Sequence, residues 1–236
     1  MDFVITKDLS IAAILIFGFV LGLRHAVEAD HLAAVSTIVA ERKSLFSSAL
    51  VGGFWGVGHT LSLLLVGVFV IILKLQITES VESWLEAGVG AMLVILGANA
   101  LRNLWKKETI HIHAHEHGSR EHIHVHAHEK AGSAESHHLA RLSPRSLAVG
   151  MVHGLAGSAA LMLLLVPNIA SPIVALTYIA VFGLGSIGGM MLMSLLIGLP
   201  MHLTAGRFNF LNKGILFTAG FLSCALGMFI VYNKMA

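Results

Sequence analysis

Five ionisable residues fall within eight positions of an otherwise apolar stretch. The segment GLRHAVEADHLAAV holds Arg24, His25, Glu28, Asp30 and His31. Each such group in hydrocarbon costs roughly 2.5–3.5 kcal/mol on insertion scales, so they must face one another, a water-filled cavity or a bound ion. Two imidazoles and two carboxylates also make a good ligand set for a divalent transition metal. On an ideal helix His25, Glu28 and His31 share a face about 120° wide, and Asp30 points away from it. Asp30 therefore binds only if the helix is distorted there, or else it orients a histidine from behind. Which of Glu28 and Asp30 is the coordinating carboxylate stays open at this point. The alternative is a polar cluster satisfied internally, with Arg24 paired to a carboxylate.

Three further positions could take part. His59 stands in GGFWGVGHTLS, beside a small-xxx-small ladder of Gly52, Gly56 and Thr60 that lets another helix approach closely. That places it to meet the first helix, although a lone histidine bonded to a backbone carbonyl is the plainer alternative. His153, in GMVHGLAGSAAL, and Ser158 are candidates for lining a path. The surrounding glycines and alanines equally describe a helix-packing surface. The stretch HIHAHEHGSREHIHVHAHE alternates histidine with other residues. His111, His113, His115 and His117 form one series, and His122, His124, His126 and His128 another. Alternation puts each series on one side of an extended chain, where neighbouring imidazoles can share an ion. Little in this tract is apolar enough to fold alone, so it is expected to lack fixed structure without metal.

The elements that must position these groups are membrane helices. The chain has 236 residues, 56% of them hydrophobic and 12% charged, against about 25% charged in soluble proteins. Its mean hydropathy is +0.82. Six apolar runs approach the roughly 20 residues needed to cross a bilayer core. They are 9–40, 47–73, 84–104, 146–166, 173–199 and 214–232. The first is too long for one straight span, and is either tilted or followed by a bent extension near the polar cluster. A single cysteine, Cys224, excludes an intrachain disulfide and a cysteine-rich zinc site. The first apolar run lacks the basic flank and small-residue site of a cleaved leader. The basic balance comes from loops, and no nucleic-acid partner is expected. Eleven lysines and arginines fall in loops on the side of the long polar segment, and three on the other. By the positive-inside rule the long loop is cytoplasmic and both termini lie outside.

The halves resemble each other. GLRHAVEADHLAAV aligns with GMVHGLAGSAALML, pairing His25 with His153 and Asp30 with Ser158. FWGVGHTLSLL aligns with VFGLGSIGGMM, pairing His59 with Ser186. Three spans per half make the second half enter from the opposite side, which is an inverted repeat of the kind that holds a substrate site near the midplane. The expected architecture is therefore an all-α membrane protein of six transmembrane helices, as a 3+3 inverted repeat with a His-rich cytoplasmic loop. Residues 1–104 and 146–236 form the two three-helix repeats, and 105–145 form the loop.

RHAVEADH resembles the H-x4-D-H signature of the nickel/cobalt transporter superfamily, with Glu28 where aspartate is usual, and VGHTLS resembles its second signature. The acidic second-half motifs of the main permeases have no counterpart here. HGLAGSAAL and GGMMLMSLLIGLP instead resemble the urease-accessory-protein-H-like transmembrane branch. The resemblance implies that His25, Asp30, His31 and His59 occupy metal-recognition positions, and that Ni²⁺ or Co²⁺ is the transported substrate.

The expected function is a secondary transporter of Ni²⁺ or Co²⁺, with uptake favoured over export, in the plasma (inner) membrane. His25, His31 and His59 are expected to ligate, with Glu28 or Asp30 supplying charge. No P-loop motif and no H-E-x-x-H motif appears, so no enzymatic activity and no organic cofactor is expected. A membrane-embedded accessory or storage protein of urease-type maturation, or a transporter of another divalent metal such as Zn²⁺, are the alternatives. The expected partners are a divalent transition-metal ion, the lipid bilayer and a cytoplasmic metallochaperone; the oligomeric state is left open.

Overall fold

The computed structural model describes residues 11–39, 44–73, 78–105, 110–117, 120–127, 138–155, 169, 171–204 and 209–236. Among them are seven helices and one hairpin. In chain order these are α1 (Ile11–His25), α2 (Ala29–Val39), α3 (Leu45–Leu73), α4 (Glu79–Trp105), β1 (Ile110–His117), β2 (Arg120–Ala127), α5 (His138–Gly154), α6 (Pro172–Thr204) and α7 (Asn209–Met235).

Local sequence sets the helix ends. The Ser44 hydroxyl accepts the Ser47 amide at 3.1 Å ahead of α3, and the Thr78 hydroxyl accepts the Val81 amide at 3.4 Å ahead of α4. Both satisfy amides that an open helix end leaves bare. Glu79 and Glu82 lie in the first turn of α4, where the helix dipole favours negative charge. Pro172 starts α6 at the position where its missing amide costs nothing.

Among the described residues, four helices are long and apolar enough to span a bilayer: Leu45–Leu73, Glu79–Leu104, Pro172–Pro200 and Phe210–Met235. The first expected span is a broken one. α1 and α2 meet at a bend of 56°, and the pair passes the same test as a unit. Of the expected fourth span, α5 and Leu155 are described, and the rest of it lies outside the described residues. Large apolar side chains such as Phe69, Ile95, Leu192, Phe221 and Phe229 face outward. Such a surface suits lipid, and so many exposed large apolar side chains are foreign to a soluble monomer. The protein is an integral membrane protein built on helices, which leave few backbone polar groups to satisfy in lipid.

α3 packs along α6 and α5, α1 along α6, and α4 along α7. α2 leaves the line of α1 and packs on α7, α4 and α6. Trp55, Val35, Val39, Leu93 and Met190 form one buried core; Leu63, Tyr178, Ile179 and Phe182 form a second. The helices approach to backbone contact at glycines. A Cβ on Gly22 would strike the carbonyl oxygen of Phe182, and one on Gly150 that of Trp55. One on Gly185 would strike the Phe19 carbonyl, and one on Gly58 the Leu147 carbonyl. Between α4 and α7, Gly90 faces Gly227 and Gly97 faces Gly220. The Ser223 hydroxyl donates to the Leu93 carbonyl there at 2.9 Å.

The stretch expected to be a loop without fixed structure carries the two strands. β1 and β2 pair antiparallel, with His111 opposite His126, His113 opposite His124 and His115 opposite His122. The period-2 alternation of this tract is the strand period. The expected loop also ends earlier than residue 145, because α5 begins at His138.

Candidate metal centre

The bend between α1 and α2 creates the site. Val27 N donates to the Arg24 carbonyl at 3.0 Å and Glu28 N to the His25 carbonyl at 3.1 Å. These are three-residue spacings, tighter than the α-helical four. Leu32 N then returns to the α pattern by donating to the Glu28 carbonyl at 3.0 Å. His25 is thus the last residue of α1, and His31 lies in the first turn of α2. A straight helix would turn Asp30 away from the two histidines; the break brings all of them to one side.

His25, His31 and His59 converge, with one nitrogen from each within 4.8 Å of the others. The rings of His25 and His31 meet at 4.3 Å, those of His25 and His59 at 5.1 Å, and those of His31 and His59 at 5.5 Å. All three are buried. Imidazole–metal bonds near 2.1 Å set ligand nitrogens about 3.0–3.4 Å apart around one ion. Small side-chain rotations therefore close the group on a cation.

Carboxylates favour one tautomer of His25 and of His31. His25 Nδ1 lies 3.0 Å from a Glu28 oxygen, and His31 Nδ1 lies 3.0 Å from Asp30 Oδ1. On the other side of each ring, Nε2 is buried with no hydrogen-bond partner among the described residues, and so are both nitrogens of His59. A neutral imidazole that donates Nδ1–H to a carboxylate keeps its lone pair on Nε2, ready for a metal. Asp30 also accepts the His31 amide at 2.9 Å, and its Oδ2 lies 3.2 Å from His153 Nε2. His153 comes from α5, and its ring lies 4.2 Å from that of His31. Asp30, His31 and His153 form a second group able to hold an ion.

The expected residues thus divide. His25, His31, His59, Asp30 and His153 come together. Glu28 does not join the converging nitrogens; its side chain is 44% exposed and braces His25 from behind. Arg24 is exposed and makes no ion pair among the described residues, contrary to the expected carboxylate partner. Ser158 and His128 lie outside the described residues. The other seven loop histidines lie on β1 and β2.

Sequence reasoning missed Trp55. Its indole stacks on His31 at 5.8 Å with planes 14° apart, and meets His153 edge-on at 5.6 Å. Trp55 precedes His59 by four residues, hence on the same face of α3, and that spacing could have identified it. It walls the cluster off from water on one side, as Phe182 does beside His25 at 5.5 Å.

Asp30→Asn is expected to weaken Ni²⁺ binding by about 10–100-fold, the usual cost of losing a group that orients a ligand. The amide has one acceptor oxygen where the carboxylate has two and carries no charge, so His31 and His153 cannot both donate to it and the dication loses its one anionic partner in the group. Equilibrium binding on the purified chain is the check, and unchanged affinity would remove Asp30 from the site.

A family model described as high-affinity nickel-transport protein (NicO) matches residues 11–231. Urease accessory protein UreH of Bacillus sp. (strain TB-90) is 39% identical over 227 residues, covering 96% of this chain and 93% of that protein. The chloroplast protein FOR GROWTH AND FERTILITY 2 of Arabidopsis thaliana is 24% identical over 219 residues, covering 92% of this chain and 55% of that one. The high-affinity nickel transport protein of Cupriavidus necator is 32% identical over 77 residues, covering 32% of this chain and 21% of that protein. No solved structure matches the chain. With most of its length matched by the family model and by the Bacillus relative, the chain belongs to the family of high-affinity nickel-transport proteins, which are transporters and not enzymes.

Proposed function

We propose that this chain is a secondary transporter that carries Ni²⁺, and Co²⁺ by the same chemistry, inward across the plasma (inner) membrane. The observation that carries this reading is the convergence of His25, His31 and His59, each with a bare buried nitrogen. Borderline nitrogen ligands suit nickel, cobalt and zinc and disfavour magnesium and calcium. The name of the Cupriavidus relative supports nickel among these. An inside-negative potential favours inward movement of two charges by about 4.6 kcal/mol per 100 mV.

The proposed frame is six spans as a 3+3 inverted repeat. The helix contacts support it by their reciprocity. The contact of Gly22 with Phe182 becomes that of Gly150 with Trp55 when the halves are exchanged at a shift of 127 or 128 residues. The contact of Gly185 with Phe19 becomes that of Gly58 with Leu147 in the same way. In this frame the site lies at the interface of the halves, as in other inverted-repeat transporters. The termini lie outside and the histidine hairpin lies in the cytoplasm, where a metallochaperone would receive the ion.

The test is ⁶³Ni²⁺ uptake into proteoliposomes under an inside-negative potential, with and without His25→Ala. Potential-driven uptake that the substitution abolishes is the expected result. The name of the Bacillus relative favours a second reading, a membrane-embedded accessory of urease maturation. Binding without flux in the same vesicles would select it.

The hairpin is expected to be dispensable for permeation. Deleting residues 110–127 should lower the number of ions bound per chain while leaving flux within about threefold, because a tethered chelator raises local metal concentration without building the path. Metal-to-protein ratios and vesicle flux measure the two effects. Flux as low as that of His25→Ala would place the hairpin in the path.

A further inference from the structure

The buried cluster contains more ligands than one ion needs, and they are arranged as two overlapping groups. His25, His31 and His59 form one; Asp30, His31 and His153 form the other. His31 belongs to both. The groups differ in chemistry and in access. The first has three buried imidazoles. The second has a carboxylate that is 28% exposed, and a histidine from α5, in the second half of the chain. His59 and His153 stand farther apart, at 6.0 Å between rings, than either group requires.

We propose that these are two successive positions of the transported ion, with His31 as the ligand handed from one to the other. This rests on the transport reading above. The water-facing position is Asp30, His31 and His153, where the carboxylate attracts the dication. The occluded position is His25, His31 and His59, where only neutral nitrogens hold it. A neutral imidazole offers one lone pair at a time. With Nδ1–H on Asp30, His31 ligates through Nε2 and serves the occluded position. With the proton on Nε2, it ligates through Nδ1 and serves the water-facing one. Bare buried nitrogens at His31 Nε2 and His153 Nδ1 mark where the ring protons would reside when the hydrogen-bonded nitrogens ligate. Water balances the exchange: the Nδ1 proton leaves through the partly exposed Asp30 carboxylate to water, and Nε2 takes one proton from water, so the ring is neutral in both positions and no net proton is gained or lost. The two positions are therefore alternatives, and the cluster holds one ion at a time.

Trp55 provides a local readout, because its indole touches both His31 and His153. In the full chain with Trp84 and Trp105 replaced by Phe, quenching of Trp55 by Ni²⁺ or Co²⁺ should follow a single-site isotherm in free metal, whatever the hairpin binds besides. His59→Ala should weaken that binding at least thirtyfold. His153→Ala should leave it within about threefold yet slow flux at least tenfold, because the occluded position survives and the hand-off is lost. His153→Gln keeps a hydrogen-bond donor for Asp30 but removes the imidazole lone pair, and should be as slow as His153→Ala. Three outcomes would overturn the hand-off while leaving the transport reading in place. Equal loss of binding in His153→Ala and His59→Ala means a single four-imidazole site. Normal flux in either His153 variant means that His153 does not ligate in transit. A two-step quenching isotherm in free metal means that the positions fill together. If His59→Ala instead leaves both binding and flux intact, it is the transport site itself that fails, and the hand-off with it.

Discussion

His31→Ala is expected to reduce Ni²⁺ flux to that of protein-free vesicles, a loss of about a hundredfold or more. Removing a residue that merely orients a ligand already costs roughly 10–100-fold, and His31 is placed to ligate directly. Its truncation also leaves Asp30 without one of its two histidine partners, so a carboxylate loses a hydrogen bond in an apolar setting where water is scarce. His25→Ala and His59→Ala should be nearly as damaging, since each takes one nitrogen from the converging three. The three variants should still insert, because each truncated ring lies inside a helix bundle whose contacts are chiefly apolar. Flux is compared at equal protein in the vesicle membrane. Flux within threefold of the unaltered chain for His31→Ala would remove the cluster from the permeation path.

Much of this site was legible in the sequence because ionisable residues are conspicuous in apolar helices. His25, Asp30, His31 and His59 stand out on that ground alone, and an aligned register singled out His153. A bent extension near the polar cluster was one of two expectations; what periodicity could not supply was the choice of the bend over a tilted straight span. No proline or glycine marks residues 26–28, and an ideal helix through His25 and His31 puts Glu28 among the ligands and Asp30 outside. Three-residue hydrogen bonding at Val27 and Glu28 reverses that assignment. The bend arises from tertiary packing: α1 follows α6, while α2 turns to pack on α7 and α4. Local sequence does not report such a constraint. Trp55 was missed for the opposite reason. An aromatic residue in an apolar helix looks like ordinary core, and only its four-residue separation from His59 hints at a role. In the loop, the alternation of histidines indicated extended chain, but the pairing partner and register are relations between the two series that the alternation within one does not report. They are set by backbone pairing, not by composition.

The second large effect concerns glycines that carry no chemistry. Gly58→Ala is expected to cut flux at least tenfold while the protein still reaches the membrane. A Cβ at Gly58 would collide with the Leu147 carbonyl oxygen, and would also lie 3.0 Å from that carbonyl carbon and 3.1 Å from the Met151 amide nitrogen. These are backbone atoms of α5, so no flexible side chain can give way. α3 and α5 must separate. Overpacking of this kind costs about 1–3 kcal/mol, which a bundle of this size can survive. The site survives less well, because the same two helices carry His59 and His153, and ligand geometry tolerates displacements of only about 0.5 Å. Gly154→Ala should act similarly, since its Cβ would lie 2.5 Å from the His59 carbonyl oxygen and 2.9 Å from the His59 Cα. Gly88→Ala and Gly214→Ala serve as controls: among the described residues nothing lies within 4 Å of a Cβ at either position, and both should transport normally. If Gly58→Ala matched these controls in flux, the close approach of α3 and α5 would not be what holds the two histidines in register. The site would then depend on the bend between α1 and α2 alone.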